Sequence, residues 1–257
     1  MKASAPERTA ASQPGTGHAR FVFHGLVPVT LVDFPGKLAL TAYTLGCNFR
    51  CPICHNRELA LSLTDVLPEY DVPAVLAEIE KKSGWIDGIC VTGGEPLLHA
   101  EIHQVLRQFK EEGLAVKIDT NGSFPERLEE LIDAGLVDYV AMDVKAPLTE
   151  EDYSKAAGVP MGRWLGKLKD SAGIIKASDV EYEFRTICVP GLHSPESIAR
   201  IAEYIAPCSR YILRAFRPVN TLDPDCEQVP PPTAGEMSSY LDAARRHVPQ
   251  ACIDHSD

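Results

Sequence analysis

The sequence lacks the features that would mark a membrane-spanning, secreted or nucleic-acid-binding protein. It contains no uncharged apolar run of about 18 residues, the length that a helix needs to cross a bilayer. The segment 1–20 has no apolar core and is rich in Ala, Ser, Pro and Gly, so we expect a disordered tail rather than a signal peptide. A net charge of −11 opposes binding to a phosphate backbone. We therefore expect no membrane and no nucleic acid among its partners.

The eight cysteines do not suit the disulfide framework of a small secreted protein. Three are clustered, and the other five are scattered over the remainder of the chain. This distribution favours a reducing, cytoplasmic location. Cys90 and Cys188 lie inside apolar segments, where a free cysteine behaves as a core residue. The clustered cysteines are Cys47, Cys51 and Cys54.

Hydrophobic periodicity predicts strands that alternate with helices after the tail. One such helix covers 97–110, with Leu98 and Phe109 on its inward face. The alternation predicts parallel βαβ units in a single domain over 21–250, with a full or partial (β/α) barrel and polar motifs at the strand ends. The six predicted strands are 38–45, 86–92, 115–119, 137–144, 181–189 and 211–216. The predicted helices are 72–82, 97–110, 125–134, 163–177, 195–205 and 233–247.

The clustered cysteines follow the first predicted strand in the segment GCNFRCPICHN, with the spacing C-x3-C-x2-C. Three thiolates from one irregular loop can bind three irons of a [4Fe–4S] cluster and leave the fourth iron open. A structural zinc site is the alternative, with His55 as the fourth ligand. Adjacent Cys54 and His55 would have difficulty reaching one tetrahedral ion together, so the spacing favours the cluster. Unrelated free cysteines are the remaining alternative.

This motif, after the first strand of an α/β chain, resembles that of the radical S-adenosylmethionine (SAM) superfamily. The resemblance implies a partial (β/α)6 TIM-like barrel, one [4Fe–4S] cluster held by the three cysteines, and SAM on the open iron. It also places Ile53 and His55 in contact with the cofactors. The family usually has an aromatic residue, packed on the adenine, where this chain has Ile53.

Three further motifs follow predicted strands: TGGEP at 92–96, DTNG at 119–122 and AMDVK at 141–145. Each has an ordinary structural interpretation, as a strand-to-helix turn, an Asx turn or an ion pair. In glycyl-radical activating enzymes, similar elements line the SAM site, with Asp119 acting directly or through a monovalent cation. For Arg185 the structural alternative is pairing with a buried carboxylate. The resemblance implies that the residues of these elements that bind the cofactor are Gly93, Gly94, Glu95, Asp119, Thr120, Asp143, Lys145 and Arg185.

The lead-in DFPGK, the CHN after the cluster and the FRP near the last strand narrow the resemblance to the activating protein of anaerobic ribonucleoside-triphosphate reductase. It implies reductive cleavage of SAM to a 5′-deoxyadenosyl radical, which removes a hydrogen from a glycine of the partner enzyme. A flavodoxin or ferredoxin is implied as reductant. A histidine found near the last strand of pyruvate formate-lyase activating enzymes is absent here, where Phe216 and Arg217 stand.

Other functions remain open on the sequence. One is a radical SAM enzyme that acts on a small molecule or peptide, similar to 7-carboxy-7-deazaguanine synthase. Another is an iron–sulfur scaffold or sensor that does not cleave SAM, and a third is a zinc-binding interaction module.

Overall fold

The computed structural model describes residues 21–82 and 84–254. The predicted tail over 1–20 lies outside these residues. None of the helices in the described ranges combines the length and apolar character needed to cross a bilayer. The strands are β1 (Val22–Phe23), β2 (Leu26–Thr30), β3 (Ala39–Thr44), β4 (Tyr70–Asp71), β5 (Gly88–Gly93), β6 (Ala115–Thr120), β7 (Tyr139–Asp143), β8 (Glu181–Cys188), β9 (Tyr211–Ala215) and β10 (Cys252–Ile253).

The helices lie between the strands, and most of them bury one apolar face. They are α1 (Arg57–Ala60), α2 (Val72–Glu80), α3 (Ile102–Glu111), α4 (Pro125–Asp133), α5 (Glu150–Ala157), α6 (Leu165–Ala177), α7 (Pro195–Ile205) and α8 (Ala234–Arg245).

Eight strands form one sheet in the order β10-β9-β8-β7-β6-β5-β3-β2. Every neighbouring pair is parallel except β2 and β3, which are antiparallel. The six predicted strands correspond to β3 and β5–β9, so the prediction of a partial (β/α)6 barrel is confirmed. The two outer strands β2 and β10 extend this sheet, while β1 and β4 form a separate two-stranded ribbon.

The helix predicted at 97–110 begins later than expected. Pro96–Leu98 forms a short 3-10 turn, in which Glu95 accepts a hydrogen bond from the Leu97 amide, and His99 is extended. The α-helix starts at Ile102. Leu98 is therefore 38% exposed rather than on the inward face, whereas Phe109 is buried as predicted.

The base of the barrel is closed by the DFPG segment. Phe34 is buried and its ring lies 5.8 Å from that of Tyr139, beside Ala39 and Ala141. These contacts lie near the amino ends of β3 and β7. The opposite, carboxyl-terminal edge of the sheet therefore remains the open end, where the polar motifs meet.

Candidate functional site

A cavity of about 320 Å³ opens at the carboxyl-terminal edge of the sheet. It collects residues from six strands, β3 and β5–β9, and from the loops that follow them, as parallel α/β folds do. All thirteen residues singled out in the sequence line this one cavity. They are Cys47, Cys51, Ile53, Cys54, His55, Gly93, Gly94, Glu95, Asp119, Thr120, Asp143, Lys145 and Arg185.

The three cysteines lie half-buried on the loop after β3. The loop is fixed from outside by α5, because the Arg50 amide donates to the Ala157 carbonyl at 2.8 Å. Burial raises the pKa of the Cys47 thiol to about 12 and that of Cys51 to about 11. Because thiolates are the form that binds metal, binding here must displace protons.

The cysteines do not converge on a single ion. Within the described ranges, no group of three or more His, Cys, Asp or Glu side chains is close enough to hold one metal ion. The sulfurs around a tetrahedral zinc would lie within about 4 Å of one another. In a four-iron cluster each thiolate binds a different iron, so its sulfurs stand further apart.

A charged wall of the cavity is built on β6, β7 and β8. Arg185 donates to Asp119 at 3.0 Å and to Asp143 at 2.9 Å, and Lys145 lies 3.3 Å from Asp143. The buried ammonium of Lys117 pairs with the other oxygen of Asp119. Each carboxylate oxygen of Asp119 and Asp143 thus accepts from a cationic side chain.

The electrostatics of this wall keep both carboxylates ionised. Burial alone would raise the pKa of Asp143, but Arg185 and Lys145 hold it well below its usual range. The pKa of Asp119 is also lowered, since Arg185 and Lys117 outweigh its burial. Burial works against the charge of Lys145, yet Asp143 raises the pKa of this lysine. Arg185 therefore pairs with carboxylates, as its structural alternative predicts, and both of these carboxylates line the cavity.

The two glycines of TGGEP are required by the packing of the protein backbone. Gly93 has φ +120°, and a Cβ there would overlap the Thr44 backbone. A Cβ on Gly94 would overlap the carbonyl oxygen of Gly46 in the cysteine loop. The Glu95 amide donates to that same oxygen at 2.8 Å. The GGEP turn therefore holds the cysteine loop against the end of β5.

Glu95 connects this turn to the end of β6. Its buried carboxylate accepts from the Thr120 hydroxyl at 2.8 Å, the Asn121 amide at 2.7 Å and the Leu97 amide at 3.1 Å. Burial raises the pKa of Glu95 to about 7, although these hydrogen bonds favour the ionised form. The Glu95 side chain thus links the TGGEP and DTNG motifs through hydrogen bonds.

His55 lies where the cysteine loop meets the end of β9. Its Nε2 donates to the Arg217 carbonyl at 2.7 Å, and its ring lies 6.0 Å from that of Phe216. The segment Phe216–Arg217 after β9 is therefore contacted by His55 from the cysteine loop. Ile53 gives the cavity an apolar wall.

Sequence reasoning missed several residues of the cavity. His193 stands in no motif of the sequence, yet it lines the cavity, and its Nε2 donates to the Lys145 carbonyl at 3.0 Å. Asn121 follows Thr120 directly in the DTNG motif, and that position could have drawn attention to it. The remaining missed polar residues are Asp33, Tyr43, Asn56, Thr92 and Arg214.

The fold and this cavity are those of an α/β protein with three cysteines beside a charged wall at the open end of its barrel. The model of the radical SAM superfamily matches residues 41–205. The chain belongs to this superfamily, and it is an enzyme that catalyses radical SAM chemistry.

Individual relatives agree with this assignment. A Methanocaldococcus jannaschii protein, provisionally named a glycyl-radical enzyme activating enzyme, is 32% identical over 89% of this chain and 94% of its own. The pyruvate formate-lyase-activating enzyme of Staphylococcus epidermidis is 26% identical over 71% of this chain and 74% of its own. A radical SAM methyltransferase from Sphaerobacter thermophilus shares the fold at 12% identity, with a TM-score of 0.65 over 88% of this chain and 68% of its own.

Membership of the superfamily implies a [4Fe–4S] cluster and SAM as cofactors. The donor chemistry of the cavity fits both groups. Three soft thiol ligands lie on one loop, and SAM carries ammonium and carboxylate groups that suit the charged wall. Lys145 lies near Cys51 and Cys47 and supplies positive charge beside the place of the cluster.

Proposed function

We propose that this chain activates a glycyl-radical enzyme by removing one hydrogen from the Cα of a glycine in that partner. The observation that carries the proposal is the single cavity in which the cysteine loop and the charged wall face each other. The choice of a glycine as target is supported by the 32% identity to the Methanocaldococcus jannaschii protein over almost its full length.

In this proposal Cys47, Cys51 and Cys54 hold three irons of the cluster. When bound, the two cofactors supply a reducing electron and, from the cleaved SAM, a 5′-deoxyadenosyl radical. The protein's own contribution is to bind and orient. Asp143 and Asp119 accept hydrogen bonds from SAM, while Lys145 and Arg185 hold the two carboxylates in place and balance their charge.

The apolar side chains of the cavity complete this role. Ile53, Ile187 and Leu192 line the cavity beside the charged groups, and they exclude water from the reacting atoms. The glycines of GGEP keep the cysteine loop close to β5. The SAM site is thereby positioned by rigid strand ends rather than by mobile loops.

A monovalent cation is the third proposed component. All four oxygens of Asp119 and Asp143 already accept from cationic side chains. A carboxylate oxygen has a further lone pair, so a cation would share these oxygens with Arg185 or Lys117 rather than replace them. Comparing SAM affinity in potassium and in choline buffers tests this component, and equal affinities would remove it.

We propose anaerobic ribonucleoside-triphosphate reductase as the partner, on the DFPGK, CHN and FRP segments, and a flavodoxin or ferredoxin as the reductant. We also propose one radical SAM domain over 21–250, because seven strands of a single sheet, β2, β3 and β5–β9, lie within these bounds. A cytoplasmic location is supported by eight cysteines that form no disulfide.

The activase proposal is tested by electron paramagnetic resonance. The reconstituted and reduced enzyme is mixed anaerobically with SAM and the reductase. One reductase sample is unlabelled, and in the other the glycine residues carry ¹³C at Cα. We expect a radical signal that requires SAM and is split further by the label. 5′-Deoxyadenosine without a glycyl signal would favour a small-molecule or peptide substrate. A cluster without 5′-deoxyadenosine would favour the scaffold or sensor.

A further inference from the structure

The three cysteines have different hydrogen-bond environments. The sulfur of Cys47 accepts from the Phe49 amide at 3.4 Å and lies 3.8 Å from Nδ2 of Asn121, a distance that N–H···S contacts reach because sulfur is large. Among the described residues, the hydrogen bonds to the sulfurs of Cys51 and Cys54 come from backbone amides. Cys47 is thus the cysteine with a side-chain donor.

The direction of the Asn121 amide is fixed by its neighbours. Its oxygen accepts from the Ser123 amide at 3.0 Å and from the Ser123 hydroxyl at 2.5 Å. An oxygen with two donors on it must be the acceptor end, so the NH₂ end faces the other way. There it meets two acceptors, Oδ1 of Asn48 at 3.0 Å and the sulfur of Cys47.

The same three side chains close a ring of hydrogen bonds. Asn48 receives one N–H from Asn121 and donates its own Nδ2 to Ser123 Oγ at 2.9 Å. Ser123 is fully buried, and Asn121 is 6% exposed. The backbone of Asn121 is held by Glu95. The second N–H of Asn121 is therefore aimed at Cys47 before any cofactor binds.

We propose that Asn121 is a positioning residue for the iron–sulfur cluster, and that it donates its side-chain N–H to the sulfur of Cys47. This inference rests on the proposed function only in taking Cys47 as a cluster ligand. Hydrogen bonds to ligand sulfurs stabilise the more negatively charged, reduced cluster and raise its reduction potential. Asn121 thus makes the cluster easier to reduce.

The first experiment is a redox titration of the reconstituted enzyme without SAM, followed by electron paramagnetic resonance. Asn121→Leu removes the donor at nearly constant size. A net hydrogen bond is worth up to a tenfold change in the ratio of reduced to oxidised cluster. We therefore expect a midpoint potential more negative by up to about 59 mV, the one-electron equivalent of tenfold. The matched control is Gln108→Leu, which removes an exposed side-chain amide on α3 that donates to the Gln104 carbonyl, and we expect it to keep the wild-type potential.

An unshifted potential in Asn121→Leu would overturn the inference and leave the proposed function intact. If the wild-type enzyme binds no iron and sulfide, both the inference about Asn121 and the proposed function are overturned. If Asn121→Leu itself fails to bind a cluster, a measurement on the wild type decides. With asparagine labelled with ¹⁵N at the side-chain amide, we expect a ¹⁵N coupling to the reduced cluster, and no such coupling would contradict the contact.

Discussion

At the level of single residues, Asp143 carries the most specific expectation for SAM binding. Its two oxygens are held by Arg185 and Lys145, so its charge and direction are fixed. Asp143→Asn removes the charge and leaves the cysteines untouched. We expect SAM affinity to fall by about tenfold or more, the loss of one or two charge-assisted hydrogen bonds. Equilibrium binding of SAM to the reconstituted protein measures this change.

The control for that variant is the absorbance of the cluster, which we expect to match the wild type. Asp138→Asn, at a surface ion pair with Lys110, is the matched substitution and should keep normal affinity. Normal affinity in Asp143→Asn would exclude Asp143 from the SAM site.

Glu95 gives a prediction for pH dependence. Its pKa in the folded chain, about 7, exceeds the ordinary glutamate value of 4.5, so the folded state holds this proton more tightly. The stability from this group is present below pH 4.5 and is lost as the pH rises through 7. Glu95→Gln cannot titrate. Between pH 4.5 and 7.5 we expect the wild type to lose about 3 kcal/mol of unfolding free energy relative to this variant.

Urea unfolding of the metal-free protein at a series of pH values measures this difference. Subtracting the two curves cancels the contributions of the other carboxylates. If the curves for wild type and Glu95→Gln run parallel, the buried carboxylate does not hold its proton as described.

At the level of elements, the contact between the GGEP turn and the cysteine loop is the tightest approach of the site. Gly94→Ala would place a methyl group on the Gly46 carbonyl, where backbone must move. We expect a loss of about 3 kcal/mol or more of unfolding free energy, together with slower cluster assembly. Chemical unfolding and the iron content after reconstitution measure the two effects.

Gly173 provides the matched glycine. It lies on the exposed side of α6, and nothing stands within 4 Å of a Cβ built on it. Gly173→Ala should stabilise the protein by up to about 1 kcal/mol through helix propensity. Equal stability of the two variants would contradict the packing described for Gly94.

The order of the elements follows from the sequence because strands and helices carry different hydrophobic periods. The helix α5 was not predicted, since its sequence EEDYSKAA presents few apolar residues. It forms because Thr149 caps its first turn and Tyr153, Ala156 and Ala157 bury against the core. Its role, holding the cysteine loop through Ala157, has no local signal.

The candidate site was predictable to the extent that its residues stand in motifs at strand ends. Contacts between distant motifs were not. Asn121 and Cys47 are 74 residues apart, and Glu95 and Asn121 are 26 apart. Only the parallel order of the strands brings them together. The sequence also does not show why residue 94 must be glycine, because the Gly46 carbonyl that Gly94 accommodates lies on another loop.

At the scale of the whole molecule, the cavity joins strands from across the sheet, so a ligand bound there should stabilise the entire fold. SAM at a hundred times its dissociation constant adds about 2.7 kcal/mol. For a chain of this size we expect the melting temperature to rise by about 5–10 °C. Anaerobic differential scanning fluorimetry of the reconstituted protein measures the shift.

Asp143→Asn at the same SAM concentration is expected to show a smaller shift than the wild type. A wild type whose melting temperature does not respond to SAM would mean that the cavity is not the SAM site.

The central claim, that this cavity holds a cluster that cleaves SAM, is tested most directly by the formation of 5′-deoxyadenosine. Wild type, Cys51→Ala and Cys226→Ala are reconstituted anaerobically with iron and sulfide, reduced with dithionite and given SAM. Cys226 lies in the short turn Pro224–Gln228, outside the cysteine loop. We predict product from the wild type and from Cys226→Ala, and none from Cys51→Ala. Product from Cys51→Ala at the wild-type rate, or none from a cluster-bearing wild type, would contradict the account.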